Sequence, residues 1–244
     1  MDTVASLAPP RRATPERPLL GLTLLAVEDS RYTCEALRLM CLRSGARLRR
    51  ADCLLSARRH LHMYRPSAAL VDLGLPDGSG LELIAELAAA RPRLGALIAI
   101  SGDVDAAPAA RRAGADGFLS KPVHSLRQFQ EVLLAHFPQA DRARDPGPRP
   151  DMPVCPDPLA LADDLTHAAN LLHEARDASV LEYVAQFLIS VARAAGDRPL
   201  AAAAQELASH HHAVDGNDGG RPLRETIRRL RAVIEARRTS HSPI

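Results

Sequence analysis

Five short apolar runs between residues 22 and 120 each lead into a stretch with helical spacing, and this alternation limits the fold more than any other feature. The runs are LTLLAV (22–27), the weaker ARLRRA (46–51), AALV (68–71), ALIAI (96–100) and GFLS (117–120). Helical stretches follow each: one to Ser44, closed by Gly45; 53–64; 81–91, stopped by Pro92; 107–114, with Pro108 tolerable only in its first turn; and 124–137. Five such β/α units predict a parallel sheet covered by helices on both faces. Aromatic residues make up only 3% of the chain and Trp is absent, so the cores must be aliphatic.

Between Pro138 and Pro158 lie seven of the chain's 19 prolines, counting both ends. Proline removes backbone donors and blocks regular structure, so this segment reads as a stiffened linker. The expected organisation is a lead at 1–18 without regular structure, an α/β domain at 19–138, a linker at 139–156, a helical domain at 157–240 and a tail at 241–244. The helical part shows no strand pattern. Four stretches carry apolar residues every three or four positions: Leu161, Leu165, Ala168 and Leu172; Leu181, Val184, Leu188, Val191 and Ala195; Leu200, Ala203, Ala204 and Leu207; Leu223, Ile227, Leu230 and Ile234. That spacing predicts an all-α four-helix bundle.

Formal net charge is +2, too small to suggest a dedicated nucleic-acid binder. No apolar run approaches the ~20 residues of a membrane helix. The proline-rich N-terminus lacks the apolar core of a secretory signal, and Cys34, Cys41, Cys53 and Cys155 have no CxxC spacing. Reduced thiols and a cytoplasmic protein are expected.

In an open parallel sheet, ligands sit beyond the carboxyl ends of the strands. Those ends here carry Glu28 and Asp29, then Asp72, then Ser101, then Lys121. Any one of them could be a helix cap; all of them on one sheet edge point to a site. Three crowded carboxylates repel unless a cation lies among them, and oxygen donors of this kind suit Mg²⁺. Lys121 is the single Lys among 31 basic residues, so its compact ammonium has a role an Arg cannot fill. Carboxylates, a cation, a hydroxyl and an ammonium together suggest an Asp that becomes phosphorylated.

The pieces VEDS (27–30), VDLGLPDGSG (71–80), AISGD (99–103) and GFLSKPV (117–123) resemble the response-regulator receiver domain of two-component signalling. The resemblance implies a five-stranded, doubly wound, flavodoxin-like α/β fold. It further implies that Asp72 is the phosphoacceptor and that Glu28, Asp29, Asp72 and the Gly74 carbonyl hold Mg²⁺. Ser101 and Phe118 would be the switch residues. Lys121 would contact the phosphoryl group, with a cis bond to Pro122.

Residues 181–208 are similar to the central hairpin of histidine phosphotransfer (HPt) domains. Ala185, Leu188, Ala192 and Gly196 keep that family's frame, but Gln186 stands where the phosphorylatable His would be. A carboxamide cannot carry a phosphoryl group, so the bundle reads as a degenerate HPt-like binding or dimerisation module. The Arg-rich last helix reads as a solvated face. His167 and His173 are the remaining relay candidates, while His210, His211 and His212 read as a polar helix end. The expected protein is not an enzyme toward other substrates. It is a response regulator phosphorylated by a sensor histidine kinase or a phosphotransfer protein, with a homodimer as one output and no nucleic-acid or membrane partner. A phosphorelay intermediate, or a phosphate sink competing for a kinase, is the alternative; a transcription regulator follows behind.

Overall fold

The computed structural model describes residues 13–137, 151, 153–175, 177–212 and 220–240, with side chains for all but 210–212, 220–222, 239 and 240. Most of the expected lead and linker, the tail and the side chains of His210, His211 and His212 lie outside the described residues.

Five parallel strands form the sheet: β1 (Thr23–Val27), β2 (Arg47–Ala51), β3 (Ala68–Asp72), β6 (Ala96–Ser101) and β7 (Gly117–Ser120). Their order is β2-β1-β3-β6-β7. The chain runs outward from β1 to β2 and then returns to the other side of β1. The winding therefore reverses between β1 and β3, where open sheets of this kind form a crevice. Between β3 and the next helix sits a small antiparallel hairpin, β4 (Gly74–Leu75) with β5 (Gly78–Ser79), which the sequence reading did not anticipate.

Helices α1 (Arg31–Ser44), α2 (Leu54–Met63), α3 (Gly80–Ala89), α4 (Ala107–Ala113) and α5 (Leu126–Leu134) cover both faces. Strand alternation sorts the core in two. Leu24 and Ala26 join Leu37, Met40, Phe129 and Leu133 on the α1/α5 side. Leu25 and Val27 join Leu54, Leu83, Ile84 and Ala110 on the other. Local signals fix α1: Ser30 Oγ accepts from the Thr33 N–H at 3.0 Å, and Gly45 ends the helix with a left-handed φ of 83°.

Four further helices follow: α6 (Pro158–Glu174), α7 (Ala178–Ala194), α8 (Arg198–His212) and α9 (Gly220–Ser240). The apolar stripes read from the sequence meet in one shared core, centred on Leu165, Ala168, Val184, Leu188, Ala204, Leu230 and Ile234.

The helical half packs directly on the sheet half. Tyr32 of α1 joins the helical core. Asp164 of α6 is buried and meets the start of α1, where its carboxylate accepts from Arg31 N–H at 2.8 Å, Tyr32 N–H at 3.0 Å and Ser30 Oγ–H at 2.8 Å. Free N–H groups at a helix start favour an anion. Here the anion comes from more than a hundred residues away along the chain. The last residues of the expected linker also differ from a free spacer. Val154 is buried in the α1/α5 core and its N–H bonds the His124 carbonyl at 3.1 Å. Val154 is apolar and meets an apolar face, so it docks there.

Two outcomes follow from this packing. A Cβ on Gly80 would lie 1.9 Å from the Asp72 carbonyl oxygen. Gly80→Ala should therefore lower stability by about 1–3 kcal/mol or more, read in chemical denaturation. Asp164→Ala should cost about 1–3 kcal/mol by orphaning its three donors. It should also speed amide exchange in the first turn of α1, with Asp164→Asn milder on both counts.

Candidate functional site

The carboxyl ends of β1, β3, β6 and β7 lie side by side, so residues far apart in sequence meet on one edge. Glu28 and Asp29 follow β1, Asp72 closes β3, Ser101 closes β6 and Lys121 follows β7. Glu28 is fully buried, Asp72, Ser101 and Lys121 are buried, and Asp29 is half-buried.

Lys121 is the hub. Its Nζ donates to Asp72 Oδ2 at 2.8 Å and to Glu28 Oε1 at 3.0 Å, and it lies 2.8 Å from Glu28 Oε2. Its backbone N–H bonds the Ser101 carbonyl at 2.8 Å, which ties the ends of β6 and β7 together. The Lys121–Pro122 peptide is cis. Burial opposes the ammonium charge, but Asp72, Glu28 and Asp29 outweigh it and hold Lys121 protonated above its ordinary range.

Glu28, Asp29 and Asp72 each offer an oxygen, all within 4.8 Å of one another. One ammonium does not neutralise three carboxylates. Burial raises the Glu28 carboxyl well above its usual value, against the pull of Lys121 and with the help of the Asp72 charge. Burial likewise raises Asp29. A cluster of hard oxygen donors with surplus negative charge suits a divalent cation.

Gly74 follows on the exposed start of the hairpin, and its N–H bonds Asp72 Oδ1 at 3.4 Å. Ser101 Oγ accepts from Asp103 N–H at 3.1 Å. Phe118 on β7 is half-buried against the core on the α2/α3/α4 side.

The helical half closes over this edge. Tyr183 of α7 donates its hydroxyl to Asp29 Oδ2 at 2.5 Å. Burial and the Asp29 charge push the Tyr183 phenol above its ordinary value, so it stays a donor. Arg193, near the other end of α7, donates to the Gly102 carbonyl at 3.1 Å. Between helix and strand ends lies a cleft of about 760 Å³, lined on one side by Asp29, Asp72 and Ser101 and on the other by Tyr183, Gln186 and Ser190. Gln186, singled out from the sequence for a different reason, thus faces the same space as Asp72.

Sequence reasoning did not find Asp164, Tyr183 or Arg193. They act across the two halves, and no local spacing announces a partner there. His167 packs edge-on to Phe187 and lines a neighbouring cleft of about 720 Å³ that Asp29 borders and Asp72 does not. No helix among the described residues is long and apolar enough to cross a membrane.

Residues 24–133 match the family model described as the response regulator receiver domain. The transcriptional regulatory protein CitB of Klebsiella pneumoniae is 39% identical over 79 residues, which are 32% of this chain and 33% of that protein. The KDP operon transcriptional regulatory protein KdpE of Escherichia coli is 32% identical over 160 residues, 63% of this chain and 64% of that protein. The chain therefore spans less than two thirds of the length of either relative. Among solved structures, a putative response regulator from Chloroflexus aurantiacus is 26% identical with a TM-score of 0.43, covering 46% of this chain and 98% of that one. The receiver domain of sensor histidine kinase PA1611 from Pseudomonas aeruginosa, solved with a magnesium ion in its active site cleft, is 25% identical with a TM-score of 0.42, covering 48% and 97%. Over residues 24–133, the chain carries a response regulator receiver domain.

Proposed function

We propose that the protein is a response regulator of two-component signalling in which Asp72 receives a phosphoryl group. One observation carries this reading: the Asp72 carboxylate sits 2.8 Å from a buried ammonium, at the edge of a cleft large enough to admit a phosphodonor. An Asp72 oxygen attacks the donor's phosphorus, and the donor leaves with the electrons of the broken bond. Lys121 holds a positive charge beside the incoming oxygens. The Ser101 hydroxyl can turn from its local contact and donate to one of them. Glu28, Asp29 and Asp72, with the Gly74 carbonyl, are the residues that would hold Mg²⁺. When bound, that ion supplies charge stabilisation for phosphoryl transfer. The donor is a sensor histidine kinase or a phosphotransfer protein, and the protein acts in the cytoplasm. Its own chemistry is confined to Asp72; it transforms no other substrate.

We read residues 157–240 as the output: a degenerate HPt-like four-helix bundle, with Gln186 in place of the phosphorylatable His. Ser101 and Phe118 couple the site to this module and to the α4/α5 face, by biasing two existing states. CitB and KdpE are named as transcriptional regulators. Here four arginines of α9 pair with acids inside the helical half. Arg237 pairs with Asp197 at 2.8 Å, Arg229 with Glu206 at 3.0 Å, and Arg228 and Arg238 with Glu225 and Glu235. That pairing supports protein binding or dimerisation rather than contact with nucleic acid.

Asp72→Asn should reduce labelling from phosphoramidate with Mg²⁺ to background, read by intact-protein mass. Full labelling of that variant would sink the assignment. Asp29→Asn should weaken Mg²⁺ binding by about tenfold or more, measured by calorimetry on the full chain.

A further inference from the structure

The two anchors of α7 fix what stands over Asp72. In the sheet, β1, β3 and β6 are consecutive neighbours. Tyr183 holds Asp29, the second residue after β1, and Arg193 holds Gly102, the residue after β6. Neighbouring strands lie about 4.8 Å apart, so these two anchor points are separated by about two strand spacings. Ten helical residues rise about 15 Å, enough to cross that distance obliquely. Positions 183, 186, 190 and 193 are three or four apart and therefore share one helix face. Its two middle members, Gln186 and Ser190, fall over the end of the middle strand, which is Asp72. Both line the 760 Å³ cleft together with Asp72 and Ser101. Gln186 is exposed to that space while its neighbours Ala185, Phe187 and Leu188 are buried.

A carboxamide at this position has one useful chemistry. Its oxygen accepts a hydrogen bond, its nitrogen donates two, and it cannot itself take a phosphoryl group. A Gln carboxamide can orient the attacking water in hydrolysis of a phosphate anhydride. The mixed anhydride of Asp72 and phosphate is a related electrophile.

Resting on the phosphoacceptor reading above, we propose that the helical half hydrolyses phospho-Asp72 in cis, with Gln186 positioning the attacking water. Gln186 Oε1 accepts from the water O–H and aims its lone pair at phosphorus, and Nε2 donates to a phosphoryl oxygen. The water oxygen forms the new P–O bond. The bond from phosphorus to the Asp72 oxygen breaks, and its electron pair returns to the carboxylate, which Lys121 receives. One water proton stays on the new hydroxyl and the other passes to a phosphate oxygen. Free Asp72 carboxylate and dihydrogen phosphate result. The cleft has room for the phosphoryl group and several waters, each needing about 30 Å³.

The full chain is loaded with phosphoramidate and Mg²⁺ and freed of donor, and loss of the phosphoryl group is followed by intact mass. Gln186→Ala and Gln186→Leu should both lose it about tenfold more slowly or worse. Gln186 is exposed, so both variants should keep the wild-type melting temperature. Unchanged or faster loss in Gln186→Ala would overturn the proposal. So would slowing in Gln186→Leu alone, because bulk would then be blocking water. In ¹⁸O-water the released phosphate should carry the isotope; label in Asp72 would mean attack at the carboxyl carbon and would also overturn it. A wild-type chain that never takes the label would overturn the phosphoacceptor reading itself, a result distinct from the others.

Discussion

The buried ammonium of Lys121, held between Asp72 and Glu28, is the contact on which the rest of this architecture depends. Its side chain is 2% exposed and that of Glu28 is fully buried. Moving such charges out of water costs several kcal/mol each, and only close mutual contacts recover it. Contact at 2.8 Å requires the ends of β1, β3 and β7 to be fixed to within a fraction of an ångström. The sheet supplies that rigidity through layers of fully buried aliphatic residues on both faces. The backbone bond from Lys121 N–H to the Ser101 carbonyl adds a local tie. The bargain is incomplete by design of the residue set. Three carboxylates against one ammonium leave an excess of acidic groups at the edge, and burial answers by raising the Glu28 and Asp29 carboxyls.

That excess explains why the helical half meets the sheet half where it does. Tyr183 brings a hydroxyl donor to Asp29, the least buried of the three carboxylates. Arg193 brings a guanidinium group to the Gly102 carbonyl at the rim, while Arg31 of the sheet half pairs with Asp163 of the helical half at 2.7 Å. Asp164 does the opposite job a few residues away. It sits at the start of α1, where N–H groups favour a negative charge, within reach of the Asp29 charge. Burial raises the Asp164 carboxyl while the N–H bonds from Tyr32 and Arg31 lower it. The interface is thus polar where it crosses the site and apolar beside it, where Tyr32 enters the helical core.

The sheet and its site were legible because their signals are local. Four of the five strands are apolar runs whose ends carry a candidate site residue, so reading the strand ends also read Glu28, Asp29, Asp72, Ser101 and Lys121. The solitary Lys was informative for a chemical reason: a guanidinium fork does not fit between two carboxylates that share one point charge. The stripes of the four helices were legible for the same reason, period alone. The docking of one half on the other was not. Asp164, Tyr183 and Arg193 look like ordinary helical polar residues, and only tertiary contact gives them partners. Val154 was hidden differently: a proline-rich context argues for a spacer, and a single apolar residue within it carries no periodicity. The β4–β5 hairpin is too short to show alternation.

An acid roofed by its own chain differs physically from a bare one. On an open receiver, donor and water reach the acid by the same unobstructed approach. Here α7 is fastened at both ends of the cleft, so whatever enters must pass between Gln186, Ser190 and the strand ends. A phosphoryl group on Asp72 would add negative charge and three acceptor oxygens to a space already short of cations. The Tyr183 hydroxyl and the Arg193 guanidinium are the donors that α7 brings to that space, and both belong to the module that would have to report it. Were α7 to seat differently on the phosphorylated and the free acid, phosphorylation would shift the seating by the same free energy by which seating shifts phosphorylation. In this chain the helix that covers the site is also the one placed to read it.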